Sequence, residues 1–435
     1  MSNPYVRIGS AAAAALLLLT AAACSNNSSP SSSGPAPADF SERGPISFVV
    51  GKDTTGNMQK ELDTWNARNP NEKVTLVELP DSADQQRNVM LQAFQTKNPD
   101  YAVLGTDIIW TAEFAANQWI TELDPAQFEL DAMLAPAVET GKYRNKLYAV
   151  PQVTNGALLY YRKDLLDAVG AKPPTTMDEL KQICAQVKAT PQGAGLDCYG
   201  GQFNKYEGLT VNFQEAVGGS GGQLVDSAGT KAMVNTPQAT QGLQWMVDSF
   251  NDGTIPRAAM TWKEEESRQA FQSGKLVFMR NWPHVYSLAS KTDGSSQVAG
   301  KFDVTKIPAL PGGSTGVSSL GGQNLAVSQF GRNKGTAVDF IKYMTSNETM
   351  QQRTLATSRA AARASIYTDP VITEKLNYMP TLLDSLKTAQ PRPVVVKYGD
   401  VTVAIQDSVY GALQGQKKPD QALTELQTRL DTLIK

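Results

Sequence analysis

From Pro45 onward, short apolar runs alternate with helical periodicity, and no other feature narrows the fold as far. Residues 46–50 read as a strand. Met58, Leu62 and Trp65 then share one helical face, which Asn69-Pro70 ends. Residues 74–79 form a second strand, and Ser82-x-x-Gln85 marks a capping-box start ahead of Met90, Leu91 and Phe94. Residues 101–104 and 108–110 read as short strands on either side of Asp107. Residues 147–151 and 158–161 are strand-like again. Further on, Thr176-x-x-Glu179 opens a helix whose apolar face holds Met177, Leu180, Ile183, Cys184 and Val187. Thr236-Pro237 starts another, and Asn251-Asp252-Gly253 stops it. A buried strand at 276–279, a strand at 325–327, a helix through Phe340 and Met344 and a helix over 421–433 follow. Strands alternating with helices imply α/β layers on a mainly parallel sheet.

The start of the chain is of another kind. Residues 11–23 are apolar but fall short of the roughly 20 residues a spanning helix needs. With Arg7 in front and small residues behind, the segment has the layout of a secretory signal. Its end, Ala21-Ala22-Ala23-Cys24, resembles a bacterial lipobox, which implies lipidation of Cys24 as the mature N-terminus. An ordinary secreted signal is the alternative. The Ser/Pro/Asn-rich stretch that follows buries too little apolar surface to fold and reads as a leash. The expected division is 1–23 signal peptide and 24–43 lipidated Cys24 plus disordered linker, with the folded part outside the cytoplasm.

Composition removes several function classes. The net charge is −2, from 40 basic and 42 acidic residues, so the basic stripe of a nucleic-acid binder is missing. His284 is the single histidine, and three cysteines complete the soft ligands, so neither a metal nor a cofactor is expected. Cys184 and Cys198 are an even pair beyond Cys24 and are expected to oxidise outside the cytoplasm. No phosphate loop appears, and Gly218 to Gly222 reads as a flexible turn.

Three stretches resemble a known family. Lys146-Leu147-Tyr148-Ala149-Val150-Pro151 runs through Asn155 to Tyr160-Tyr161-Arg162. Ala270-Phe271-Gln272-Ser273-Gly274-Lys275 precedes Asn281-Trp282-Pro283. Gly321-Gly322-Gln323-Asn324-Leu325 is the third. Together they resemble the maltose-binding-type extracellular sugar-binding proteins of ABC importers (family 1). Thr106-Asp107-Ile108-Ile109-Trp110 and Pro391-Arg392-Pro393 make the chain most similar, within that family, to the trehalose-binding lipoproteins of actinobacterial importers. The resemblance implies a two-lobed periplasmic-binding-protein-like fold of type II, each lobe a mainly parallel sheet flanked by helices, with the ligand cleft between lobes. The lobes would comprise 44–153 plus 308–358 and 154–307 plus 359–435. It implies a monomeric, non-enzymatic lipoprotein on the outer face of a bacterial cytoplasmic membrane. That protein would close on a disaccharide, trehalose or a related α-glucoside, and pass it to the transmembrane permease of an ABC importer.

By the same resemblance the ligand residues are Gln86, Asp107, Asn155, Glu264, Trp282, Gly321, Gly322 and Arg392. These residue types suit a sugar. Carboxylates, amides and arginine pair with its hydroxyls, and an aromatic ring stacks on its C–H face. Each has a plainer reading: Asp107 as a helix cap, Glu264 as a solvated acid, Trp282 as core, Gly321 and Gly322 as a turn. Whether Asp53, Asn57 or Gln323 joins them is open. So is the solute: maltose, a longer maltooligosaccharide, another oligosaccharide or a polyol. The rival classes are a secreted glycosidase, with Asp107 and Glu264 as its carboxylate pair, and a surface scaffold without a small ligand.

Overall fold

The computed structural model describes residues 38–226, 228–311 and 313–434, which form one compact unit. The expected signal segment and the expected lipidation site Cys24, within residues 1–37, lie outside the described residues. Within the expected linker, the chain is already docked at its end. The Glu42 carbonyl accepts from Gly335 N–H, and Arg43 bridges Glu72 and Asp339.

Two main sheets organise the unit. The first contains β1 (Ile46–Gly51), β2 (Val74–Leu79), β3 (Val103–Asp107), β6 (Ala149–Gly156), β11 (Ser319–Val327) and β12 (Gln390–Pro391). Its order is β12-β11-β3-β1-β2, with β6 also paired to β11. A small hairpin, β4 (Lys142–Tyr143) and β5 (Lys146–Leu147), precedes β6. The second sheet contains β7 (Leu158–Arg162), β8 (Asp197–Gly200), β9 (Leu276–Asn281) and β10 (Phe302–Thr305), in the order β10-β7-β9-β8. Only Ala157 lies between β6 and β7, so the chain passes from one sheet to the other without a helix. Ser318 and Ser385 tie that crossing: Ala157 N–H donates to Ser318 Oγ at 2.6 Å, and Ser385 Oγ donates to the Ala157 carbonyl at 2.9 Å.

The α/β expectation holds, but the sheets are mixed rather than mainly parallel. β1 pairs in parallel with β2 and β3, because helical crossovers join them. β7 enters the second sheet directly and runs antiparallel to β9 and β10. β11 likewise returns antiparallel to β3 and β6.

Local signals explain most elements. The helix Met58–Arg68 buries Met58, Leu62 and Trp65, each contributing about 1.5–3 kcal/mol by leaving water. The Thr176 capping box forms in full, with Thr176 accepting from Glu179 N–H and Glu179 accepting from Thr176 N–H. The one expected at Ser82 does not form: the helix Ala83–Gln95 starts there, but Ser82 makes no side-chain cap. Residues 108–110 are a 3₁₀ turn and not a strand, because the Asp107 carboxylate accepts from Ile109 N–H and turns the chain. Gly218 and Gly219 are not a flexible turn. They end the wholly buried helix Glu207–Gly219, and the left-handed residue is Gly221.

Cys184, in the helix Met177–Lys188, and Cys198, in β8, are disulfide-bonded with Cα atoms 5.6 Å apart. Both are buried. Replacing both by serine is expected to lower stability by about 3 kcal/mol, because the bridge no longer restricts the unfolded chain. Urea midpoints of the wild type and the double variant test this, and equal midpoints would contradict it.

Candidate ligand-binding site

β3, an interior strand of the first sheet, ends at Asp107, level with Gln323 of β11. Its carboxylate caps Ile109 N–H at 3.3 Å and also meets the Arg392 guanidinium. Arg392 Nη1 donates to Asp107 Oδ2 at 3.0 Å, and Nη2 donates to Oδ1. Capping and the polar contact therefore coexist at Asp107. Arg392 is 4% exposed, and its Nη1 also donates to Glu207 Oε1 at 2.6 Å. Glu207 opens the helix Glu207–Gly219 and accepts further from Tyr398 O–H and, at 2.7 Å, from Thr402 Oγ. The Glu207 N–H donates to Asp84 Oδ2 at 2.8 Å, so an acid on the helix Ala83–Gln95 caps this second helix.

Burial pushes the Glu207 carboxyl up from 4.5 to about 7. Arg392 opposes the rise, while the charges of Asp107 and Asp84 add to it. Burial works against the charge on Arg392, but Asp107, Tyr398 and Glu207 outweigh it and hold that guanidinium well above its ordinary value. The folded state thus binds the Glu207 proton more tightly than the unfolded chain. The resulting stability is full below about pH 4.5 and is lost as pH rises through about 7. Between pH 5 and pH 8 the wild type is expected to lose about 2–3 kcal/mol more than Glu207→Gln. Urea unfolding at both pH values checks this, and parallel losses in the two proteins would contradict it.

The second cluster is built on β9, whose residues Leu276–Asn281 are all buried. Arg280 is 1% exposed, and its guanidinium lies 4.0 Å from the centroid of the Trp282 ring. Arg280 Nε donates to Glu215 Oε2 and Nη1 donates to Gln202 Oε1, each at 2.8 Å. A paired cation thus backs the ring. Trp282 N–H donates to Asn281 Oδ1 at 2.7 Å, and Tyr160 O–H donates to the Trp282 carbonyl at 2.8 Å. The ring is partly exposed while everything that holds it is buried.

Two glycines admit this arrangement. A Cβ on Gly321 would sit 2.9 Å from Cη2 and Cζ3 of Trp282 and 3.4 Å from Cβ of Asn155. A Cβ on Gly322, at φ +144°, would sit 2.2 Å from the Val153 carbonyl. Gly321 pairs with Asn155, and Gly322 with Thr154. Glu264 joins the cluster through Asn281, whose Nδ2 donates to the Glu264 carbonyl at 3.1 Å, and its carboxylate accepts from Tyr206 O–H at 2.7 Å. A cavity of about 210 Å³ opens beside it, lined by Lys52, Thr54, Asp81, Glu264, His284 and Arg359.

Asp107 and Arg392 thus meet directly, and Asn155, Trp282, Gly321 and Glu264 form one neighbourhood. The two groups are joined along β11 through Gly322 and Gln323. Gln86 is differently employed: its Nε2 donates to the Pro80 and Asp81 carbonyls at 2.9 and 3.0 Å. Asp53 caps the start of the helix Met58–Arg68, accepting from Met58 N–H at 2.7 Å, and Asn57 donates to Glu61. The sequence reading missed Glu207, Arg280, Glu215 and Tyr398. Glu207 and Glu215 lie with Asn212 and Gln214 in one helix that is buried along its whole length, a burial that only the folded structure reveals.

Comparison with known proteins gives one answer. The model of the bacterial extracellular solute-binding protein family matches residues 51–351. A probable ABC transporter-binding protein of Deinococcus radiodurans is 32% identical over 379 residues, covering 86% of this chain and 89% of the relative. Among solved structures, maltose-bound MalE3 of T. maritima is 32% identical with a TM-score of 0.84, covering 89% of this chain and 99% of that one. The GacH receptor of Streptomyces glaucescens, solved unliganded and with acarbose, is 24% identical with a TM-score of 0.80. It covers 90% of this chain and 98% of that one, and bears on the fold alone. These neighbours are two-lobed, as the fold reading expects. On the family match and the Deinococcus relative together, this chain belongs to the bacterial extracellular solute-binding proteins.

Proposed function

We propose that the protein captures a disaccharide, trehalose or a related α-glucoside, between two lobes that close around it, and delivers it to the permease of an ABC importer. The lobes are 44–153 plus 308–358 and 154–307 plus 359–435, and the crossing at Ala157 is one hinge segment. A sugar drives closure only so far as it binds the closed form more tightly than the open one. The ligand set is Asp107, Asn155, Glu264, Trp282, Gly321, Gly322 and Arg392, with Gln86 at the margin. Cys24 carries the lipid anchor, and the protein works as a monomer outside the cytoplasmic membrane. Among the described residues no helix is long and apolar enough to cross a membrane. No covalent step belongs to this reading.

The observation that carries the proposal is the Trp282 plate. It is an aromatic ring backed by a buried cation and fitted against Gly321, with Asn155 paired to that glycine and Glu264 tied through its carbonyl to the neighbouring Asn281. A ring beside amides and carboxylates matches the two surfaces of a sugar. Maltose is the second reading, favoured by the T. maritima structure described as maltose-bound at 32% identity.

A thermal-shift panel of trehalose, maltose, maltotriose, sucrose, glucose and a polyol tests the proposal on protein that begins at Ser25. A ligand that binds only the folded state stabilises it by about 2.7 kcal/mol at a hundredfold excess over Kd. A shift with trehalose alone supports the trehalose reading. A shift with maltose or longer glucans alone replaces it, and no shift with any of them removes the sugar.

A further inference from the structure

With the lobes drawn as above, they touch through a seam that includes Asp107 and Arg392. Glu207 N–H donates across it to Asp84 Oδ2 at 2.8 Å, Gln406 Nε2 donates to Asp84 Oδ1 at 3.4 Å, and Arg392 Nη1 donates to Asp107 Oδ2 at 3.0 Å. Asp84 and Asp107 stand on one lobe, and Glu207, Arg392 and Gln406 on the other. A Cβ on Gly399, in the helix Tyr398–Leu413, would sit 2.4 Å from Arg87 Cζ, so the backbone there lies directly on a side chain from the opposite lobe. The cavity left in the seam has a volume of about 80 Å³. Asp84, Arg87 and Trp110 line it from one side, and Glu207, Tyr398 and Thr402 from the other. That is far below the about 300–1,000 Å³ of a small-molecule site, so the seam is a contact between lobes and not a second ligand site.

Charge at the seam is unbalanced. Three carboxylates, Asp84, Asp107 and Glu207, gather around Arg392, which bonds two of them. The other charged groups facing this cluster are engaged elsewhere. Arg87 is paired with Glu113, and Lys205 with Asp407. Glu215, further along the helix Glu207–Gly219, is paired with Arg280. Asp400 adds a further negative charge near Arg87, and Tyr398 donates its O–H to Glu207. Burial, opposed by Arg392 and aided by Asp107 and Asp84, sets the Glu207 carboxyl at about 7. Opening the lobes would carry Asp84 and Asp107 away from Glu207, leave Arg392 to Glu207 alone and admit water. Each of these changes favours the carboxylate. The open form therefore holds the Glu207 proton more weakly than the closed form. Closure takes up a proton as pH falls through about 7, and above that pH both forms are ionised.

We propose that closure on the sugar is coupled to uptake of one proton by Glu207 at the lobe seam, so that capture tightens in acid and loosens toward alkaline pH. This rests on the two-lobed sugar reading above and adds a regulator to it. The test is calorimetric titration of the full chain with trehalose and with maltose at pH 6 and pH 8, each in two buffers of different ionisation enthalpy. With the carboxyl near its ordinary 4.5 in the open form and at about 7 in the closed one, binding is expected to be about tenfold tighter at pH 6 than at pH 8. The same values give uptake of about 0.9 proton per sugar at pH 6 and about 0.1 at pH 8. Glu207→Gln stands in for the protonated acid. It is expected to bind at pH 8 at least tenfold more tightly than the wild type, with no proton uptake at either pH. A purely structural role for Glu207 predicts the opposite, a loss of affinity at both pH values, and that result would overturn the proposal. Equal wild-type affinity at the two pH values without proton uptake would overturn the coupling and leave the sugar reading standing. Uptake that persists in Glu207→Gln would also overturn it. No binding of either sugar at either pH would overturn the coupling together with the sugar reading.

Discussion

Trp282→Ala is expected to raise the Kd for the captured sugar by about 100-fold, or about 2.7 kcal/mol. The size follows from the construction of the site. A central aromatic anchor on rigid supports carries a disproportionate share of binding energy, about 2–4 kcal/mol on truncation. Trp282 is such an anchor: Arg280 backs its face at 4.0 Å, and Tyr160 and Asn281 hold its backbone. The truncation also opens a gap against Gly321, where no side chain is present to fill it. Trp282→Phe keeps a ring and is expected to retain affinity within about tenfold of the wild type. Calorimetric titration separates the two variants. A change of less than threefold in Trp282→Ala would remove the ring from the site.

Arg392→Met should produce the largest loss of folding stability, about 3–5 kcal/mol at pH 8, because it leaves Asp107 and Glu207 without the cation between them. Arg392 is nearly the full length of its side chain inside the protein, and Glu207 is 6% exposed, so water does little to replace the lost partner. The loss should shrink at pH 5, since burial already raises the Glu207 carboxyl to about 7 and a protonated Glu207 needs no cation. Adding Glu207→Gln to Arg392→Met should recover part of the stability at pH 8. Urea unfolding of the single and double variants at the two pH values tests the whole set. An equal loss at pH 5 and pH 8, with no recovery in the double variant, would show that the charges are not the cause.

Elements with one strong local signal could be read from the sequence. Met58, Leu62 and Trp65 define a buried stripe on the helix Met58–Arg68, and the Thr176 box and the Thr236-Pro237 start both stand where the pattern puts them. Elements decided by a distant partner could not. The direction of β7 depends on a chain crossing between sheets, which periodicity does not encode, so periodicity alone predicts mainly parallel sheets where the structure has mixed ones. Residues 108–110 have strand-like composition, but a single Asp107 hydrogen bond turns them.

The candidate site divides the same way. The Trp282, Gly321 and Asn155 positions came from motifs, and the structure brings those three together. Glu207 stands next to Arg392 only because a helix N-terminus and a segment 185 residues later in the chain fold against each other. Arg280 carries no local signal of its own: a cation inside an apolar strand looks like an interruption, and its partner Glu215 lies 65 residues away.

The most direct test of capture by closure is small-angle X-ray scattering of the protein with and without the sugar that gives the largest thermal shift, repeated on Trp282→Ala. The account predicts a smaller radius of gyration at saturating sugar in the wild type, and no contraction in the variant at the same concentration. Saturated binding with an unchanged radius in the wild type would contradict closure.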